Sequence, residues 1–106
     1  MKIGIVIYSN DSETVWNAFR FGNLSLATGN EVRVFLLGKG VELESLGTDK
    51  FNVTEQLQIF VNTGGKIFAC GTCLEIHQLG ASEIYTVSTM MDLYNIVKES
   101  DKIVTF

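Results

Sequence analysis

Five short apolar runs divide the chain, and the stretches between them change to a helical spacing. The runs are "KIGIVIYS" (2–9), "EVRVFLLG" (31–38), "KIFACG" (66–71), "EIYTVS" (83–88) and "KIVTF" (102–106). The first is apolar at nearly every position, the pattern of a strand covered on both faces in a parallel sheet, and the others repeat it. The intervening segments are long enough for crossover helices. The expected fold is α/β, a three-layer α/β/α sandwich with a five-strand parallel sheet, in one domain spanning residues 1–106.

Start and stop signals place the helices. Asn10 with Glu13, Asn52 with Glu55, Thr72 with Glu75 and Thr89 with Asp92 have the spacing of an N-cap and its partner three residues on. Gly29, Gly64 and Gly80 stand where helix C-caps are wanted. In the first helix Val15, Ala18, Phe19, Gly22 and Leu26 share one face, the face expected to cover the sheet. Phe21 and Leu24 point the other way and Trp16 sits on the flank. Large apolar side chains on an outer face suggest a subunit interface, so a homo-oligomer is expected.

The segment from Gly38 to Lys50 reads as a loop with one short helical turn. Gly38 and Gly40 mark a turn leaving the second strand more simply than they mark an anion-binding nest. Neither a P-loop nor a dinucleotide fingerprint is present.

Charge narrows the partners. The formal net charge is −4 and the eight Lys and Arg form no stripe, which argues against a nucleic-acid partner. The opening "MKIGIVIYSN" is too short an apolar run for a signal sequence or a membrane span. The expected location is the cytoplasm, a reducing compartment in which a permanent Cys70–Cys73 disulfide is not expected.

The candidate chemistry is confined to "KIFACGTCLEIHQLG" (66–80), which holds both cysteines and the one histidine. Ligands of open parallel sheets collect beyond the carboxyl ends of the strands, and Cys70 ends the third predicted strand. Cys73 falls at the start of the following helix, where free N–H groups favour a thiolate. His77 lies one turn from Cys73 and is a candidate to support that thiolate. Each has a plainer reading: cysteine packs well as a small buried residue, a lone histidine is often just solvated, and Glu75 serves as a cap partner.

Other uses of a C-x-x-C fit less well. The chain contains no proline, so the cis-proline that faces a thioredoxin thiol pair cannot exist. Structural zinc needs four ligands, and two Cys with one His fall short, so no metal and no cofactor are expected. No hydrolytic triad or paired acids stand out.

Four stretches together resemble the DsrE/DsrF-like family, which includes TusD-type sulfur-relay proteins and small stand-alone relatives. They are "KIGIVIYSNDSE", "EVRVFLLGKGVE", "IFACGTCLEIHQLGA" and "LYNIVKESDKIVTF", which span nearly the whole chain in order. The resemblance implies assembly as a trimer or hexamer and a cysteine after the third strand that carries sulfane sulfur as a persulfide. Donor and acceptor proteins would be its partners. The matching position here is Cys70, with Cys73 as an extra thiol. Relatives commonly place a basic residue directly before the glycine that ends this helix. Here Gln78 and Leu79 stand there, with His77 as a candidate substitute. The expected function is therefore sulfur handling, with Cys70 as nucleophile and persulfide carrier, Cys73 as resolving or auxiliary thiol and His77 as a candidate thiolate support. The alternatives are a non-catalytic oligomeric binding module and a dithiol redox protein.

Overall fold

The computed structural model describes residues 1–106. Its strands are β1 (Lys2–Ile7), β2 (Glu31–Leu36), β3 (Lys66–Cys70), β4 (Thr86–Ser88) and β5 (Lys102–Thr105). The helices are α1 (Ser12–Ala27), α2 (Val53–Asn62), α3 (Gly71–Ile76) and α4 (Met90–Glu99), with a 3-10 helix at Gly38–Ser45. All neighbouring strands pair in parallel, in the order β4-β3-β2-β1-β5.

That order explains the layers. The chain steps from β1 to β2 to β3 in one direction, and right-handed crossovers put α1 and α2 on one face. It then jumps back from β4 to β5, so the same handedness carries α4 to the opposite face. Alternation along the strands matches. Ile3, Ile5, Ile7, Val32, Val34, Leu36, Ile67 and Ala69 all lie in the main core beneath α1 and α2. Phe35 and Cys70 form a small second core with Ile96 of α4.

The first helix packs as its spacing predicts, with Val15, Ala18, Phe19 and Gly22 buried and Leu26 partly so. Phe19 meets Phe60 of α2 edge-on, with centroids 5.3 Å apart, and both rings are fully buried. Each such side chain contributes about 1.5–3 kcal/mol by leaving water. On the other face Gly4 brings α4 close, because a Cβ there would meet Ile103 Cδ1 at 2.7 Å and Ile96 Cγ2 at 2.9 Å.

Helix ends correct some expectations. Asn52 and Thr89 cap α2 and α4, the latter with Asp92 in a reciprocal pair. The first helix is capped by Asp11 rather than Asn10, its carboxylate accepting the Thr14 N–H at 2.9 Å. Gly29 and Gly64 have φ of +91° and +99° just past their helices, as a C-cap glycine should. Gly80 does not play this part: α3 closes at His77, and Gln78 takes the left-handed turn with φ +57°.

Some outer side chains of α1 find partners within the chain. Trp16 packs on the core, lies 5.4 Å from the Phe51 ring and is covered by the Arg20 guanidinium at 4.4 Å. Phe21 meets Phe106 at 6.2 Å but stays exposed, as does Leu24. No helix is long and apolar enough to cross a membrane.

Candidate functional site

Cys70 is the last residue of β3 and also the N-cap of α3, so strand passes to helix with no intervening loop. Its sulfur accepts the backbone N–H of Cys73 at 3.5 Å, a weak cap of the kind an oxygen side chain makes more strongly. The helix thus starts at Gly71, and Thr72 is inside it rather than capping it. Sulfur at Cys70 does what the sequence assigned to the Thr72 hydroxyl.

The second sulfur is held from another element. Gly38, leaving β2 with φ +55°, donates its N–H to Cys73 Sγ at 3.2 Å. Because β2 lies beside β3 in the sheet, the turn after β2 reaches the helix after β3. Partial burial first, and the neighbouring Cys70 side chain second, push the Cys73 thiol above its ordinary pKa, while the Gly38 N–H pulls the other way. Cys73 therefore keeps its proton at neutral pH.

Both cysteines are free and line one crevice of about 630 Å³ between the carboxyl ends of β3 and β4. Gly71 and Thr72 supply one wall; Val87, Ser88, Thr89 and Met90, which lead from β4 into α4, supply the other. Register explains this, since Cys70 pairs with Ser88. Cys70 forms the floor at 3% exposure, whereas Cys73 is half-buried. The lining is mostly apolar and includes no Lys, Arg or His. The crevice sits at strand ends, as expected, though not at the β1/β5 reversal, where Phe106 packs against Phe21 instead.

His77 is placed differently from the thiols. It closes α3, and its Nδ1 lies 2.6 Å from Glu42 Oε2, outside the lining of the crevice. Asn10 donates from Nδ2 to Glu42 Oε1 at 3.2 Å. That bond first, and His77 second, hold the Glu42 carboxyl below its ordinary range. The trio fastens the 3-10 helix to α3 and so supports the turn that carries Gly38. Glu42, Asn10 and the β4–α4 wall were missed in the sequence because each is distant along the chain from the cysteines. The available signal was strand order, which puts β2 and β4 on either side of β3.

A parallel sheet with two thiols at its carboxyl edge defines an α/β protein with a candidate cysteine site. The family follows: a model of the DsrE/DsrF-like family matches residues 1–106, and the chain belongs to that family. An uncharacterized protein of Methanopyrus kandleri is 33% identical over 100 residues, covering 89% of this chain and 83% of its own. One of Methanocaldococcus jannaschii is 33% identical over 114 residues, covering all of both. Among solved structures, the ychN protein from E. coli superposes with a TM-score of 0.86 at 22% identity, over 100% of this chain and 99% of its own. A conserved protein of unknown function from Bacteroides thetaiotaomicron gives 0.78 at 24% identity, over 99% and 94%. At these identities the two structures are alike in fold.

Proposed function

We propose that this protein handles sulfane sulfur, with Cys70 as the nucleophile that takes it up as a persulfide. The observation that carries the reading is the pair of free thiols facing one crevice, each sulfur accepting a backbone N–H. Sulfur transfer requires an attacking sulfur within reach of the donor's, and the shared crevice gives both cysteines that access. Membership of the DsrE/DsrF-like family supports the same chemistry. With 3% exposure at Cys70, a donor must extend its sulfur into the crevice rather than meet a surface thiol.

Partner proteins that give and accept sulfur belong to this reading, as does a homo-oligomer, trimer or hexamer. The apolar surface available for assembly lies on α4, where Met90, Tyr94 and Val97 fall on one exposed stripe with Met91 at its flank. Incubation with a cysteine desulfurase and sulfur-labelled cysteine tests the uptake. Label is expected on the wild-type chain and lost in Cys70→Ser. A wild-type chain that takes up no label would speak for the binding-module reading, which the mostly apolar crevice also suits.

A further inference from the structure

We propose that the two cysteines act in turn on one sulfane sulfur and reduce it to sulfide, closing a Cys70–Cys73 disulfide. The inference deepens the sulfur-handling reading and rests on it. A carrier needs one thiol; this crevice has two, each with its own N–H donor from a different residue.

In the first step the Cys70 thiolate attacks the outer sulfur of a donor persulfide, R–S–SH. The bond from Cys70 Sγ to that sulfur forms and the donor S–S bond breaks, its electron pair leaving on the donor sulfur. The leaving thiolate takes a proton from solvent, and the Cys73 thiol gives one up to solvent once the Cys70 thiol beside it, which held its pKa up, has become a persulfide. Products are Cys70–S–SH, R–SH and a Cys73 thiolate held by the Gly38 N–H. In the second step the Cys73 thiolate attacks Cys70 Sγ, the Cys70 persulfide bond breaks, and hydrosulfide leaves with the electron pair. One sulfane sulfur gains two electrons and two thiols supply them.

The spacing permits closure. Residues three apart on a helical turn hold their Cβ atoms about 5–6 Å apart, a short movement from the ~3.5–4.5 Å of a disulfide. Because α3 has only Gly71 and Thr72 between the cysteines, that movement is confined to its first turn. The lining also defines the donor class. With no Lys, Arg or His in the crevice, nothing there neutralises an oxyanion such as thiosulfate, so the donor is a persulfide.

The test adds one equivalent of glutathione persulfide to reduced, desalted protein without oxygen. Released sulfide is measured alongside a quenched intact-mass time course after alkylation. Wild type is expected to gain one sulfur, then lose it as one sulfide per chain while two thiols become unreactive to alkylation. Cys73→Ser should keep the added sulfur and release at least about tenfold less sulfide. Thiosulfate should give neither product. A wild-type chain that holds its added sulfur with both remaining thiol signals unchanged overturns the inference and leaves sulfur carriage standing. Equal sulfide from Cys73→Ser also overturns it, and equal reaction with thiosulfate overturns the donor class. If wild type neither gains sulfur nor forms a disulfide, the inference and the sulfur-handling reading fall together. The wild-type time course decides between these outcomes even if a variant folds poorly.

Discussion

The backbone N–H of Gly38 donates to the sulfur of Cys73 at 3.2 Å, joining the end of β2 to the helix that follows β3. This contact offsets only part of what burial and the neighbouring Cys70 thiol do, so the Cys73 thiol stays above its ordinary pKa. In the folded protein Cys73 alkylation should therefore rise only above the usual thiol value of about 8.5. In Cys70→Ser the profile should move part of the way back, because burial, the larger cause, remains. The raised value also means that the protonated thiol favours the fold. That stabilisation is present below the ordinary thiol pKa and fades as pH rises through the folded value. Residue-resolved alkylation in Cys70→Ser and wild type checks the order; a Cys73 profile at or below the ordinary value contradicts it.

The Glu42 carboxylate has the opposite sign. Asn10 and His77 hold its pKa below the ordinary 4.5, so the ionised form favours the fold. Its contribution is present above that value and is lost as pH falls through the lower folded one. Hydrogen exchange across Gly38–Ser45, corrected for its intrinsic pH dependence, should speed up between pH ~6 and ~3 in wild type. Glu42→Gln should raise exchange at pH ~6 and flatten the dependence. Unchanged exchange in Glu42→Gln would show that the contact does not hold this segment.

Two glycines should respond in opposite ways to alanine. A Cβ at Gly40 would meet the backbone oxygen of Ile7 at 2.1 Å and its carbonyl carbon at 2.8 Å. Backbone cannot move aside as a side chain can, so Gly40→Ala should cost about 3 kcal/mol or more, or prevent folding. Gly80 has open space and no positive φ, so Gly80→Ala should shift stability by less than about 0.5 kcal/mol. Thermal or urea unfolding measures both, and a tolerated Gly40→Ala would contradict the close approach of the 3-10 helix to β1.

The contrast between these glycines shows what the sequence makes legible. Apolar periodicity located all five strands and four helices, because the local pattern and the tertiary environment agree there. Gly29 and Gly64 were readable as C-caps from local spacing alone, whereas Gly80 was not, since Gln78 already turns the chain. Cys70 and Cys73 were legible as a pair at a strand end. Their partners were not: Gly38 reaches Cys73 from 35 residues away, and Glu42 reaches His77 across the same separation. On the outer face of α1 Phe21 and Leu24 are exposed as their spacing implies, whereas the contacts of Trp16 with Phe51 and of Phe21 with Phe106 join residues distant in sequence. The apolar stripe of α4 is not marked out by sequence pattern, and only the packing shows that Tyr94 is left 60% exposed.

Assembly should depend on that stripe. Light scattering after size exclusion should give a trimer or hexamer for wild type at micromolar concentration. Tyr94→Asp should dissociate it, because a charge placed in a buried apolar contact is costly. A clean wild-type monomer would contradict the proposed assembly, and an intact oligomer of Tyr94→Asp would move the interface away from α4.

Cys70 is the proposed receiver of the sulfur. Both cysteines lie in one tryptic peptide, between Lys66 and Lys98, with Gly71 and Thr72 separating them for fragmentation. Cys73→Ser and wild type, exposed to a persulfide donor and alkylated at once, can be sequenced by tandem mass spectrometry. An additional sulfur is expected on Cys70 at the earliest time point in both proteins. An additional sulfur on Cys73 alone, or on neither cysteine, would contradict it.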